Sequence, residues 1–200
     1  MTTTVLGLRE RTRRAVRTEL ANAAIDLFLM QGFEATTVDQ IATAAGLSRR
    51  SFFRYFASKD DVLVDQFSAA GAMIADDVRT RPAGEPPWLV MRRGFDGLVE
   101  MITTEHRGLP MTRLMFESAS LHASLLERQA GWRSDIATAL LPRMPTRLPT
   151  ADRNLRADAL SGAAIACLMS AQLEWVRRNG SRPLGSLVDQ TMEAVGSLDG

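Results

Sequence analysis

Cysteine, lysine and tyrosine are almost missing from this sequence, which contains one of each: Cys167, Lys59 and Tyr55. A single cysteine rules out a disulfide within the chain and favours a reducing compartment. The longest uncharged stretch, residues 159–173, is too short and too rich in Ser, Gly and Gln to span a bilayer, and the N-terminus lacks the apolar run of a signal peptide. We therefore expect a cytoplasmic protein without a membrane partner.

Motifs of catalysis are also missing from the sequence. The chain has no His-x-x-x-His pair, no glycine-rich phosphate loop and no Gly-x-Ser-x-Gly motif. His106 and His122 are sixteen residues apart and lack further ligands at a metal-binding spacing. Cys167 lies in an alanine-rich apolar stretch without a nearby base, which is typical of a structural cysteine. We predict no enzymatic activity, no cofactor and no metal.

Strands are not indicated either, because β-branched residues never form an alternating run, whereas helix formers such as Ala, Leu, Arg, Met and Glu are common. The pattern predicts an all-α protein of about nine helices. The seam between Arg81 and Pro87 is rich in Pro and Gly and interrupts the helical pattern. We expect a small N-terminal domain, residues 1–60, and a larger helical domain, residues 61–200.

The N-terminal domain contains three closely spaced helix starts. Thr37 and Gln40 form a Thr-x-x-Gln capping box, Ser48 is placed to cap the next helix, and Ser58 begins a Ser-x-x-Asp start. Gly46 separates the first two helices and is expected in a left-handed conformation. Two short helices joined by a glycine-containing turn match the helix-turn-helix unit, whose second helix lies in the major groove of DNA.

The second of these helices is predicted to extend from Arg49 to Phe56 and to have an apolar and a basic side. Phe52 and Phe56 lie one turn apart on the apolar side, while Arg50 and Arg54 lie together on the basic side. We expect the two phenylalanines to brace the helix so that its arginines project outward. Guanidinium groups bond bidentately to guanine or grip phosphate. The alternative is that the basic side is merely solvated.

Polar residues near this helix are candidate phosphate contacts. Ser48, Ser51 and Thr37 lie at helix starts, where backbone N–H groups also favour an anion, although capping alone explains Thr37 and Ser48. Lys59 is assigned a phosphate. The upstream arginines are expected to form a flexible basic arm that follows the DNA backbone or enters the minor groove; they are Arg9, Arg11, Arg13 and Arg14.

The segment LFLMQGFEATTVDQIATAAGLSRRSFFRYFASKDDVL resembles the DNA-binding domain of TetR-family transcriptional regulators, and the resemblance covers the chain from Arg14 to Leu63. It implies a cytoplasmic homodimeric repressor with an N-terminal DNA-binding domain and a C-terminal domain that binds an inducer and supplies the dimer interface. The implied partners are a double-stranded DNA operator, a second copy of the chain and an unidentified small-molecule effector.

The resemblance also implies individual DNA contacts. Lys59 and Tyr55 match positions that commonly contact phosphate, and Phe53 departs from the Tyr that is common in relatives. We hypothesise that Arg54 replaces the contact made by that missing hydroxyl. The predicted DNA-binding residues are Thr37, Ser48, Arg49, Arg50, Ser51, Phe53, Arg54, Tyr55 and Lys59.

The last two predicted helices carry apolar stripes. The stripe of the final helix is continuous, and the preceding helix is apolar on more than one side, so that it needs two packing partners. We predict that both helices meet their symmetry copies in a four-helix bundle. Burial inside a monomer is the alternative. The predicted interface residues are Leu160, Ala164, Leu168, Trp175, Leu187, Val188, Met192 and Val195.

As a group, the methionines and aromatics in the middle of the larger domain are candidates for an adaptable effector pocket, although core packing is the better explanation for any single one of them. The predicted ligand-binding residues are Phe67, Trp88, Phe95, Met115, Phe116 and Trp132. Candidates for binding an anionic head group are Arg92, Arg93, Arg113, His106 and His122.

Two functions remain open from the sequence. The first is a repressor that an apolar or amphipathic ligand releases from a palindromic operator. The second is a ligand-independent, dimeric DNA-binding or architectural protein, in which the helical domain serves only for dimerisation. Loss of DNA binding on addition of a small molecule distinguishes the first from the second.

Overall fold

The computed structural model describes residues 7–197, and within them it leaves the side chains of residues 64–68 undescribed. The predicted all-α class is confirmed: these residues form ten α-helices and a 3₁₀ turn at Leu141–Arg143, and they contain no strand. The helices are α1 (Leu8–Gln31), α2 (Val38–Ala44), α3 (Arg49–Phe52), α4 (Asp61–Thr80), α5 (Pro87–Gly94), α6 (Asp96–Thr104), α7 (Gly108–Glu117), α8 (Ala119–Leu140), α9 (Thr150–Arg177) and α10 (Leu184–Glu193).

The chain divides into two compact units, Met1–Asp65 and Gln66–Gly200. The division falls inside α4, five residues after the boundary expected at residue 60. The first unit contains α1, α2, α3 and the start of α4. The second unit contains the rest of α4 and the six helices that follow it.

Helix α1 begins at Leu8. The expected flexible basic arm is therefore wrong, because its arginines lie within α1. Arginine is a good helix former, and Arg14 lies 3.6 Å from the Glu10 carboxylate one turn away, a spacing that supports helix.

The predicted cap of α2 is confirmed. The backbone N–H of Gln40 donates to Thr37 Oγ1 at 3.3 Å, and the Gln40 side chain accepts from the Thr37 N–H at 2.8 Å. This reciprocal pair satisfies two N–H groups that a helix start leaves without partners. Gly46 has φ +67° and so adopts the left-handed conformation that the turn requires.

The starts of the next two helices are also capped as predicted. Ser48 Oγ accepts from the Ser51 N–H at 3.1 Å, and Ser58 Oγ accepts from the Asp61 N–H at 3.2 Å. The Asp61 carboxylate in turn accepts from the N–H of Ala57 at 2.9 Å. Helix α3 is shorter than predicted, because it ends at Phe52 and residues 53–55 form a turn.

The described residues form one helix more than the nine expected, and α5 and α6 meet at Phe95 without a loop between them. Phe95 is fully buried. Gly94 lies against α4, since a Cβ at this position would be 2.7 Å from Val78 Cγ2. The bend therefore coincides with a close approach of α5 to α4.

Helix α9 is the centre of the second unit and packs against α8, α10, α5 and α7. By length and composition it is apolar enough to cross a membrane, but half of its most apolar window is buried within the chain, and a core helix has the same properties. Cys167 Sγ contacts the carbonyl of Thr191 on α10 at 3.4 Å, while Thr191 Oγ1 donates to the carbonyl of Cys167 at 3.0 Å. Burial raises the pKa of the Cys167 thiol.

The predicted dimer interface requires correction, because most of its side chains are buried within one protomer. Leu160 is half-buried and Val195 is 62% exposed, but the other six are buried. The stripes of α9 and α10 pack against each other and against neighbouring helices, so their periodicity reports contacts within the chain. The buried six are Ala164, Leu168, Trp175, Leu187, Val188 and Met192.

Candidate nucleic-acid interface and effector cleft

We call α3 and the turn that follows it, residues 49–56, the recognition element. Its predicted apolar brace is present. Phe52 is fully buried, Phe56 is 2% exposed, and their ring centroids are 5.6 Å apart. The guanidinium of Arg17, on α1, lies 4.5 Å from the centroid of the Phe56 ring. Its Nη1 also donates to the carbonyl of Tyr55 at 2.7 Å. The end of the recognition element is therefore held against α1.

The basic side of α3 faces solvent. Arg50 is exposed and has no ion pair with any residue that the structure describes. Arg49 is also exposed, but its Nη1 lies 2.7 Å from the Asp39 carboxylate on α2, and its guanidinium lies 5.5 Å from the Phe53 ring centroid. Arg50 is thus free to contact a ligand, whereas Arg49 is oriented by α2.

The hydroxyl groups predicted to contact DNA serve the protein's own helix starts. Thr37 and Ser48 are exposed N-caps, and the Oγ atoms of Ser48 and Ser51 are 3.0 Å apart. A capping oxygen accepts from the backbone, and its hydroxyl hydrogen remains able to donate. Capping and a phosphate contact are therefore compatible at these positions.

The turn after α3 carries the other predicted contacts. Arg54 is exposed, and its Nη2 donates to the phenolic oxygen of Tyr55 at 3.0 Å, with its guanidinium 5.1 Å from that ring. Phe53 is 46% exposed. Arg54 leaves the helical stripe of Arg50, because α3 ends before it. Phe53, Arg54 and the half-buried Tyr55 form a cluster beside α3.

Lys59 requires a correction, because its ammonium group points into the protein. Nζ donates to the carbonyls of Phe33 at 2.7 Å and Thr36 at 3.1 Å, approaches that of Glu34 at 3.4 Å, and lies 4.3 Å from the Phe33 ring centroid. An ammonium group has three donors. Lys59 therefore ties the loop between α1 and α2 to the residues before α4, and the predicted phosphate contact has no donor left.

Several predicted effector contacts belong to the core of the second unit. Phe95 is fully buried, and Trp88 donates from Nε1 to the carbonyls of Met192 at 3.3 Å and Gly196 at 3.2 Å, where α10 ends. Met115 and Phe116, on α7, are half-buried. The side chain of Phe67 lies outside the described residues.

Two of the candidate head-group residues are also structural. Arg92 is 8% exposed and bonds to Asp189 on α10 and to Asp96 at 2.6 Å. Burial opposes its positive charge, but the hydrogen bonds that Arg92 donates to these carboxylates outweigh that effect and raise the pKa of Arg92. Arg113 donates to the carbonyl of Val176 at 3.3 Å and so caps the end of α9.

Trp132 lines an open cleft of about 310 Å³ on α8. The indole is 7% exposed and lies against α4, because a Cβ on Gly71 would be 2.1 Å from Cδ1 and 2.5 Å from Nε1. Nε1 is buried and has no hydrogen-bond partner among the residues that the structure describes. The other described residues of the cleft are Glu127, Arg128, Gly131 and Asp135.

A groove of about 500 Å³ lies between α8 and α9 and is crossed by an ion pair between Arg133 and Asp158. None of the predicted effector residues is among its described lining. Of the residues predicted to bind an effector, the structure therefore places Trp132 at a described cleft. Trp88, Phe95, Met115 and Phe116 are not among the described residues that line it.

Three positioning residues were missed from the sequence: Arg17, Asp39 and Gly71. Arg17 follows Arg13 at helical spacing, a signal that extends the basic pattern into α1. Asp39 lies in the first turn of α2, where a favourable helix dipole is a sufficient explanation for an acidic residue. Nothing in the sequence distinguishes Gly71 from other glycines.

Comparison with protein families gives two matches along the chain. The model described as bacterial regulatory proteins, tetR family, matches residues 20–65, and the model described as the MftR C-terminal domain matches residues 85–198. The first range contains the helix-turn-helix, and the second contains Trp132 and α7 to α10.

Individual relatives agree with these matches. The chain is 36% identical over 145 residues to the transcriptional regulator TcmR of Streptomyces glaucescens. The match covers 68% of this chain and 64% of TcmR, so this chain spans less than two thirds of that relative. It is 29% identical to MftR of Mycobacterium tuberculosis, over 84% of this chain and 83% of MftR. A crystal structure of Thermus thermophilus FadR, a TetR-family repressor in complex with lauroyl-CoA, matches with 25% identity and a TM-score of 0.59, over 90% of this chain and 92% of that chain.

Proposed function

This chain belongs to the TetR family of bacterial transcriptional regulators, and from that premise we propose that it is a homodimeric repressor. A small apolar or amphipathic ligand releases it from a palindromic operator. The observation that carries the proposal is the recognition element itself, in which Phe52 and Phe56 are buried while Arg50 is exposed and unpaired among the described residues.

Base recognition is assigned first to Arg50. A guanidinium that forms no ion pair loses no protein contact when it bonds to guanine, and a bidentate contact of this kind discriminates between bases by about 1–3 kcal/mol. Arg49 contributes through the same face after rotation away from Asp39. The cluster of Phe53, Arg54 and Tyr55, together with the hydroxyls of Thr37, Ser48 and Ser51, is assigned to the DNA backbone.

Dimerisation is assigned to the outward face of α9. At 100° per residue, seven apolar or small residues share one stripe, and none of them is buried within the protomer. A second copy covers this stripe, and the small side chains allow close approach of the two helices. Val195 extends the contact at the end of α10. The stripe consists of Leu155, Ala159, Gly162, Ala163, Ala166, Ser170 and Leu173.

The effector is assigned to the cleft at Trp132. A buried N–H without an acceptor costs about 1–3 kcal/mol, and a ligand oxygen that accepts from Nε1 removes this cost. The FadR relative crystallised with lauroyl-CoA supports an amphipathic ligand, and an apolar chain is compatible with the half-buried Met115 and Phe116 on the neighbouring α7. The ligand weakens operator binding by stabilising a dimer whose recognition elements are wrongly spaced for successive major grooves.

Selection from a random duplex library tests DNA recognition without knowledge of the operator. We expect enrichment of a palindrome whose half-sites lie about one helical turn, 34–36 Å, apart. Failure to enrich any sequence at low salt contradicts the proposal. Arg50→Ala should weaken binding to the enriched duplex by about 1–3 kcal/mol and relax specificity at one position of each half-site.

Release of the enriched duplex tests the sensor. Lauroyl-CoA is the first probe, with dodecanoate and coenzyme A alone as comparisons that separate the acyl chain from the head group. Release by lauroyl-CoA, reduced in Trp132→Phe, supports the effector site, because phenylalanine keeps an aromatic ring at this position and removes the N–H. A wider metabolite screen that yields neither release nor thermal stabilisation favours the ligand-independent dimer instead.

Sedimentation tests the dimer face. Ala166→Arg places a charge in the exposed α9 stripe and should convert a dimer to a monomer. Ala123→Arg is the matched control, because Ala123 is exposed on α8 and lies outside the stripe. Dissociation by both variants, or by neither, contradicts the assigned face.

A further inference from the structure

The first turns of α1 carry a row of arginines on one side of the helix. Arg9, Arg13 and Arg17 are spaced four residues apart, so at 100° per residue they lie within about 80° of one another around the axis. Along the axis the row extends about 12 Å. Arg9 and Arg13 are exposed, while Arg17 is half-buried. We call Arg9, Arg13 and Arg17 the α1 arginine row.

The inner end of this row is fixed beside the recognition element. Arg17 donates to the carbonyl of Tyr55, the last residue of the cluster after α3, and covers the ring of Phe56, which follows it. Because α1 is continuous from Leu8 through Arg17, the direction of Arg13 and Arg9 relative to this contact is set by the helix. The row therefore leads outward from the end of the recognition element along a rigid support.

The charge of the outer two arginines is uncompensated within the described residues. Neither Arg9 nor Arg13 forms an ion pair there, whereas Arg14 lies 3.6 Å from Glu10. Arg11 is exposed but lies about 160° from Arg13 around the axis, on the other side of α1. The positive charge that continues the recognition surface is thus that of Arg9 and Arg13.

We propose that Arg9 and Arg13 bind phosphates of the DNA backbone beside the major groove that α3 enters. This inference rests on the proposed function, and it identifies a second binding surface outside the helix-turn-helix. A helix is about 10–12 Å across with its side chains, whereas the minor groove of B-DNA is about 6 Å wide. The helix itself is therefore too wide for the minor groove, which favours the backbone phosphates as the partners of Arg9 and Arg13.

The salt dependence of binding distinguishes this surface from the base-reading surface. Each phosphate contact contributes about 0.9 to the slope of log affinity against log salt, so Arg9→Ala with Arg13→Ala should lower the slope by about 2. The loss of affinity should be similar on the enriched duplex and on a scrambled duplex, since phosphate contacts carry no sequence information. Alanine favours helix, and circular dichroism checks that α1 persists.

Two control variants complete the test. Arg11→Ala removes one positive charge from the other side of α1 and should leave the slope unchanged; a fall of about 0.9 in Arg11→Ala overturns the assigned face. The double lysine variant, Arg9→Lys with Arg13→Lys, should retain the wild-type slope, because phosphate binding requires charge and not a planar fork. An unchanged slope in the double alanine variant overturns the inference, whereas failure of the wild-type protein to bind any duplex overturns the proposed function itself.

Discussion

The recognition region, residues 37–59, and the helices packed around α9 differ in how far apart along the chain most of their contacting residues lie. In the recognition region, the helix caps and ring contacts join residues three or four positions apart, as in Thr37 with Gln40 and Phe52 with Phe56. The bonds of Arg17 and Lys59 described above span more, 38 and up to 26 positions. In the second unit, Arg92 bonds to Asp189 across 97 positions, and Trp132 lies on Gly71.

This difference indicates which side chains can be changed without loss of the fold. Arg50 is exposed and forms no ion pair with the described residues, so its substitution should leave the shape of the recognition element intact. In the second unit, a change at one contact alters the packing of several helices at once. Substitutions in the first unit should therefore separate stability from DNA affinity, and substitutions in the second unit should not.

Phe52→Ala is the most severe test of the local brace. Removing a fully buried phenylalanine should lower the free energy of unfolding by about 3–5 kcal/mol, measured by denaturant titration. Phe53→Ala is the matched control and should cost less than about 1 kcal/mol, because Phe53 is 46% exposed. Comparable losses from the two variants would falsify the brace.

Lys59→Met tests whether the lysine is a support or a DNA contact. Loss of its bonds to the loop carbonyls should lower the free energy of unfolding by about 1.5–3 kcal/mol, while the salt slope of DNA binding stays unchanged. Arg50→Ala provides the opposite pattern, with unchanged stability and weaker binding. A salt slope that falls by about 0.9 in Lys59→Met restores the predicted phosphate contact.

Gly71→Ala tests the long-range contact in the second unit. The added methyl group overlaps the indole of Trp132, so stability should fall by about 1–3 kcal/mol and the tryptophan emission should shift. Gly131→Ala on α8 meets no atom within 4 Å and should stabilise the protein by about 0.5–1 kcal/mol. Stabilisation by Gly71→Ala is incompatible with the described packing.

Chemical labelling of Cys167 tests the packing of α9 against α10 and requires no substitution. The thiol is buried and its pKa is raised, so less thiolate is present at a given pH than in an unfolded chain. Iodoacetamide at pH 8 should label the native protein far more slowly than the denatured protein. Rapid labelling of the native protein shows that α9 and α10 separate readily at Cys167 and Thr191.

The part of the fold that could be predicted from sequence is the part with local causes. The caps of α2 and α3 and the left-handed Gly46 depend on residues within a few positions, and all are present. The buried sides of Phe52 and Phe56 are present as well, and their one-turn spacing indicated them. The end of α3 at Phe52 was missed, because Arg54 and Phe56 continue the helical spacing after the helix has ended.

The partner of an apolar stripe could not be predicted. The periodicity of Leu187, Val188 and Met192 shows that one side of α10 is covered, but a second copy and the same chain satisfy it equally well. The direction of a long flexible side chain could not be predicted from the sequence for a similar reason. Lys59 follows a DNA-binding motif in sequence, yet the carbonyls that it reaches lie 23 to 26 positions earlier.

The inward direction of Lys59 also determines which chemical probes can map this molecule. Lys59 is the only lysine, and its ammonium is held by backbone carbonyls, so amine-directed cross-linkers find one side-chain target and find it protected. Glyoxal reagents, which modify guanidinium groups, should instead footprint the DNA-facing surface. A bound duplex should shield Arg50 from them and leave Arg11 reactive.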